Sequence, residues 1–236
     1  MKKIQCNKKE FWIDYFPMFS ATLLIITFAI LNKQTFLKTL PTLITLIVQI
    51  LLVRANRFSF LLGGANACLY ALANLSEGLY FSAISAAFIS APIQIFSFFR
   101  WSKNQKGNSV DLKRLSPRQL ALSLLVTLVG WGICIFAFAP FFENASYPHL
   151  DSLHFVLGIV VSLLTAFCFV ESQYISLFSS TLALLVWILL TIRSPQNFNF
   201  IIISVYNLFR IAEASVLWTI RYRRQKTNKK KKGVLI

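Results

Sequence analysis

The run from Leu79 to Trp101, LYFSAISAAFISAPIQIFSFFRW, carries no charge before Arg100. A stretch of about 20 apolar residues is what a helix needs to cross a hydrocarbon core roughly 30 Å thick. This run also departs from plain apolar filler. Pro92 removes a backbone donor in its interior and loosens the turn before it. Ser90, Gln94 and Ser97 recur at i, i+4 and i+7, on one helical face. Ala83, Ala87 and Ala91 mark a second face, narrow enough for another helix to approach closely. A kinked helix with a close-packing face and a polar face suits the lining of a path through a membrane. A polar stripe that only bonds neighbouring helices is the other reading of the same spacing.

Seven further runs of similar character fill the chain, which is 56% hydrophobic with 23 Phe. The expected fold is therefore an all-α integral membrane protein of eight transmembrane helices. The first run, Phe11–Leu31, is too long for a signal peptide and contains Asp14 and Pro17, so it reads as a retained extra helix. The others are Phe36–Val53, Phe58 to about Asn74, Gln119–Phe141, Leu153–Val170, Gln173–Ile192 and Phe198 to about Trp218. Residues 36–101 form one three-helix unit and residues 152–221 another, with 119–141 crossing between them. One odd connecting helix makes the two units parallel, in a 3+1+3 order. Residues 225–236 are a basic tail, expected to be disordered beyond Arg224.

The net charge of +16 lies in the tails and short loops, which points away from a nucleic-acid-binding face. With eight spans, 20 of the 24 Lys and Arg fall on one side, and only Lys33, Lys38 and Arg193 on the other. That asymmetry predicts a multi-pass protein of the cell membrane with both termini cytoplasmic. The four Cys show no C-x-x-C spacing and there are only two His, so no metal site, cofactor or disulfide framework is expected.

Polar residues inside the spans carry the functional reading. Asn66, Tyr70 and Asn74 step by four along the third span. Gln173, Ser176 and Ser180 share a face of the seventh, and Asn207, Arg210 and Glu213 step by three on the eighth. With Ser90, Gln94 and Ser97 these make four stripes, two in each unit, suited to surround a midplane cavity for a small hydrogen-bonding molecule. Arg210 and Glu213 also have the i, i+3 spacing of a structural ion pair. Glu171 reads as a boundary residue in water.

The segments GLYFSAISAAFISAPIQIFSFFRWSKN (Gly78–Asn104) and LDSLHFVLGIVVSLLTAFCFVES (Leu150–Ser172) resemble the PnuC family of vitamin transporters. The likeness runs from about Leu52 to Arg224. It is most specific at Leu79-Tyr80, Gln94 with Trp101, Asp151-Ser152, Glu171, and Asn207 with Arg210. The resemblance implies a SWEET-like core preceded by an extra helix, and facilitated uptake of a molecule such as nicotinamide riboside, thiamine or riboflavin, trapped afterwards by intracellular phosphorylation. It also implies that Trp101 belongs to the substrate site. The family's W-x-x-W-x-x-x-N pattern is replaced here by Gln173, Ser176 and Ser180, and its early fourth-span glutamine by Ala86, so the cargo stays open. A substrate-binding subunit driven by a separate ATPase is the alternative, and the state of oligomerisation, homo-oligomer or monomer, is open as well. A membrane enzyme would need convergent titratable groups that the spans do not supply.

Overall fold

The computed structural model describes residues 8–106, 109–142 and 144–233. Among the described residues there are eight long helical spans: α1 (Lys8–Leu31), α2 (Phe36–Val53), α3 (Phe58–Ser76), α4 (Tyr80–Asn104), α5 (Pro117–Phe141), α6 (Pro148–Ala166), α7 (Glu171–Arg193) and α8 (Phe198–Gly233). Seven have the length and apolarity to cross a membrane, while the apolar part of α1 is shorter, Tyr15–Leu31. A small antiparallel hairpin, β1 (Gln105–Lys106) with β2 (Ser109–Val110), follows α4.

Six helices close into a ring in the order α2, α3, α4, α6, α7, α8, with α8 returning to α2. The units α2–α4 and α6–α8 run in the same sense because the single helix α5 lies between them. α5 stands outside the ring against α6, where Gly130 leaves room for Val156 (a Cβ there would come within 3.1 Å of Val156 Cγ1). α1 covers the seam between α2 and α8. The outer surface is apolar, with Phe88 77% exposed and Phe136 84% exposed, as a lipid-facing surface requires.

Pro92 acts on α4 as its chemistry demands. It has no N–H for the Phe88 carbonyl, and the preceding segment Ser85–Ser90 widens into a π-helical turn closed by the Ala91 N–H on Ala86 O. The same Ala-Pro pair recurs on α5, where Cys134–Phe138 is π-helical ahead of Ala139-Pro140. The α5 start is fixed by a Ser116–Gln119 capping box with Pro117 in the first turn.

Two expectations change. α6 begins at Pro148 and ends at Ala166, earlier than the apolar run suggested. Pro148 presets the first helical φ, and beyond Ala166 the left-handed Cys168 (φ 65°) breaks the helix. The residues after it instead pair with Lys113, whose N–H donates to Cys168 O and whose carbonyl accepts from Val170 N–H. At the other end of the chain, α8 stays helical to Gly233 rather than ending near Arg224. Its Lys, Arg and Gln are good helix formers, and no Pro or Gly interrupts them.

The ends of the ring differ in chemistry. One, the basic end, holds Arg54, Arg57, the hairpin and the α6–α7 turn around a core of Phe60, Trp101, Val110 and Trp218. At the opposite end a polar cluster joins the two units. Lys38 pairs with Glu77 and donates to Asn197 Oδ1 at 3.2 Å, and Asn197 Nδ2 donates to Glu77 Oε2 at 2.6 Å. Gly78, at φ 72°, makes the adjoining turn, and its carbonyl accepts from Ser146 N–H at 2.9 Å.

Candidate functional site

Three cavities line up inside the ring. The one nearest the opposite end holds about 170 Å³, between Asn74, Asp151, Ser180, Trp187, Phe200 and Asn207. The middle one holds about 330 Å³, lined by Asn66, Ser85, Ser90, Gln94, Phe155 and Ser179 among others. The third, of about 200 Å³, reaches Ser59 and Thr165 at the basic end. Tyr70, Asn74, Ser82 and His154 border both the first and the middle cavity. Val48, Gln94, Val161 and Ser162 border both the middle and the third. Together they trace a path along the ring axis.

α3 supplies one wall through its four-residue step. Asn66 donates from Nδ2 to Pro41 O at 3.1 Å and to Thr45 Oγ1 at 2.9 Å, leaving its buried Oδ1 without a hydrogen-bond partner among the described residues. Pro41 O also accepts from the Thr45 hydroxyl at 2.8 Å, so one α2 carbonyl gathers both side chains. The Tyr70 hydroxyl lies 3.2 Å from Thr45 Oγ1. From α8, Asn207 likewise presents a buried Oδ1 with no partner among the described residues. Gln94 reaches the path from α4 and Ser180 from α7.

The remaining residues singled out in the sequence lie elsewhere or are otherwise engaged. Ser97 touches the third cavity, but its hydroxyl donates to Ile93 O at 2.6 Å. Trp101 is fully buried in the basic-end core, donating to Thr165 O at 3.0 Å and packing edge-on against Phe60. Gln173 and Ser176 border none of the three cavities, and Gln173 is buried toward the basic end. Arg210 is fully buried and pairs with Glu213 at 2.8 Å, off the path.

Three of the lining residues that the sequence reading did not assign to the site stand out. Asp151, 1% exposed, accepts from the Phe81 and Ser82 N–H groups at 3.0 and 3.2 Å and from the Ser82 hydroxyl. A carboxylate on α6 thus caps the first turn of α4, where unpaired N–H groups and the helix dipole favour negative charge. His154 faces Ser179, with Nδ1 3.1 Å from its hydroxyl and 3.2 Å from its carbonyl. Trp187 stacks on Phe200, centroids 3.9 Å apart at 14°, to form a flat aromatic wall. The i, i+3 spacing of Asp151 and His154 was visible in the sequence as a signal, whereas Trp187 sits within an apolar run that hides it.

A closed ring of membrane-length helices around a polar axial path defines a multi-pass membrane transporter. The sequence profile of the family described as nicotinamide mononucleotide transporter matches residues 35–218, and the chain belongs to that family. These are transporters rather than enzymes. A solved structure titled "Crystal structure of the Vitamin B3 transporter PnuC" is similar over 89% of this chain and 93% of that one, with a TM-score of 0.77 at 18% identity. At that identity the likeness speaks for the shared fold. No curated protein matches the chain.

Proposed function

We propose that the protein carries a small, donor-rich molecule of the vitamin or nucleoside type down its concentration gradient into the cell. The observation that carries this reading is the polarity of the path. Asn66 and Asn207 border it, each with a buried Oδ1 that has no hydrogen-bond partner among the described residues, and Asp151 adds a carboxylate. No Lys or Arg lines any of the three cavities among the described residues. Buried acceptors without donors are costly, so the path favours cargo that brings hydroxyl, amide or amine hydrogens. A phosphate would meet acceptors and no cation, which argues for the unphosphorylated form as cargo. The Trp187–Phe200 wall suits a flat ring, and the middle cavity matches the lower bound of about 300 Å³ for ligand sites.

The same reading places the basic end, with both termini, in the cytoplasm, because Lys and Arg concentrate there. A thermal-shift panel in detergent tests it, comparing nicotinamide riboside, thiamine and riboflavin with nicotinamide mononucleotide. A true cargo at about 100 times its dissociation constant stabilises by about 2.7 kcal/mol. The expected result is a shift with an unphosphorylated compound and none with the mononucleotide. A shift with the mononucleotide alone overturns the reading.

A further inference from the structure

Four side chains border both the middle and the basic-end cavity: Val48 from α2, Gln94 from α4, and Val161 and Ser162 from α6. They mark the junction between the two cavities, and Gln94 is the longest and most flexible of them. Its position depends on a residue that no polar stripe reveals. A Cβ built on Gly63 of α3 would overlap Gln94 Oε1 and stand 3.2 Å from its Cδ. The glutamine arm therefore rests in the space left by the missing side chain, against the α3 backbone. Gly64 differs, because a Cβ there meets Ala91 O at 3.5 Å and Gln94 Cβ at 3.6 Å, which are ordinary contacts.

We propose that Gly63 is the residue that sets the width of the passage at this junction, by giving the Gln94 arm a berth against α3 that limits how far it reaches across the way to the basic end. Within the carrier reading this makes Gly63 a positioning residue for passage. A methyl group at residue 63 would take the berth and push the carboxamide toward Val161 and Ser162. The overlap involves the far end of a flexible side chain, so the helices can stay where they are while the arm moves.

The test needs no cargo. Cys6, Cys68, Cys134 and Cys168 are replaced by Ala, and Ser85→Cys places a thiol in the middle cavity. A membrane-impermeant cationic methanethiosulfonate is added to right-side-out and to inverted vesicles, so that both approaches are timed. From the basic end, Gly63→Ala is expected to slow labelling by about threefold to tenfold, the range for forcing one side chain off its rest rotamer. Gln94→Ala should speed it, and Gly63→Ala with Gln94→Ala should label as fast as Gln94→Ala alone, since no arm remains to displace. Gly64→Ala should leave the rate unchanged. An unchanged rate in Gly63→Ala, or equal slowing whether or not the Gln94 arm is present, overturns the proposal. If Gly63→Ala fails to fold, recovery of folding by Gln94→Ala supports the same clash and absence of recovery refutes it. The labelling pattern stands or falls independently of whether any vitamin is carried.

Discussion

Asp151 joins the two units more directly than any other lining residue, and its removal gives a sharp test. Its carboxylate accepts from two backbone N–H groups and one hydroxyl at the start of α4. Asp151→Ala deletes all three bonds and leaves the Phe81 and Ser82 N–H groups without their acceptor. A hydrogen bond to a charged group is worth about 1.5–3 kcal/mol, and a stranded buried donor costs about 1–3 kcal/mol. Water entering the adjacent cavity recovers part of that loss, so the net cost comes to about 2–4 kcal/mol. At about 2–4 °C per kcal/mol for a chain of this size, the melting temperature should fall by about 4–16 °C. Asp151→Asn keeps one acceptor but turns an NH₂ toward donors, and should cost roughly half as much. Ser82→Ala loses only the hydroxyl contact, at about 1.5 kcal/mol, the low end for a bond to a charged group. The assay is thermal unfolding of the detergent-purified proteins followed by tryptophan fluorescence. If Asp151→Ala melts within about 1 °C of the parent, or no lower than Ser82→Ala, the capping argument is wrong.

Three other outcomes are expected. Gln94→Ala should weaken cargo affinity by roughly threefold to thirtyfold while the protein still folds, measured by isothermal titration beside a melting curve; lost stability with unchanged affinity would make Gln94 a structural tie. Trp187→Leu should weaken binding of a ring-bearing cargo by roughly twofold to tenfold, the worth of one aromatic stack, and have less effect on a cargo without a ring. A single cysteine introduced at Lys226 in the Cys-free protein should be labelled from the cytoplasmic side, and labelling from outside would reverse the assigned orientation.

The fold was legible because its cause is local. Each span announces itself by length and apolarity, and α2 runs from Phe36 to Val53 as its sequence predicts. The loosened turn in α4 followed from Pro92 alone, and the Arg210–Glu213 pair from its i, i+3 spacing. The site was half legible. Period arguments put Asn66, Tyr70 and Asn74 on one face, and the ring turns that face inward. They failed on α7, where a common face at Gln173, Ser176 and Ser180 reaches the path only at Ser180, because the other two lie nearer the basic end. Depth along a span is invisible to periodicity. Asp151 stood out in the family resemblance but was given no place in the site, because its partners Phe81 and Ser82 lie about 70 residues earlier and beside a turn a carboxylate looks solvated. Gly63 leaves no trace in any pattern of polar residues, since what matters there is an absent side chain.

The central claim is that the axial path alone moves cargo downhill. Counterflow in liposomes containing only this protein measures that directly. The compound that stabilises the protein is loaded inside, and a radiolabelled trace of it is added outside. The account predicts transient accumulation of label with no ATP present, abolished by excess unlabelled compound outside. Label that binds the protein but enters only after an ATPase complex is added would show a substrate-binding subunit of a driven importer, and would contradict the account.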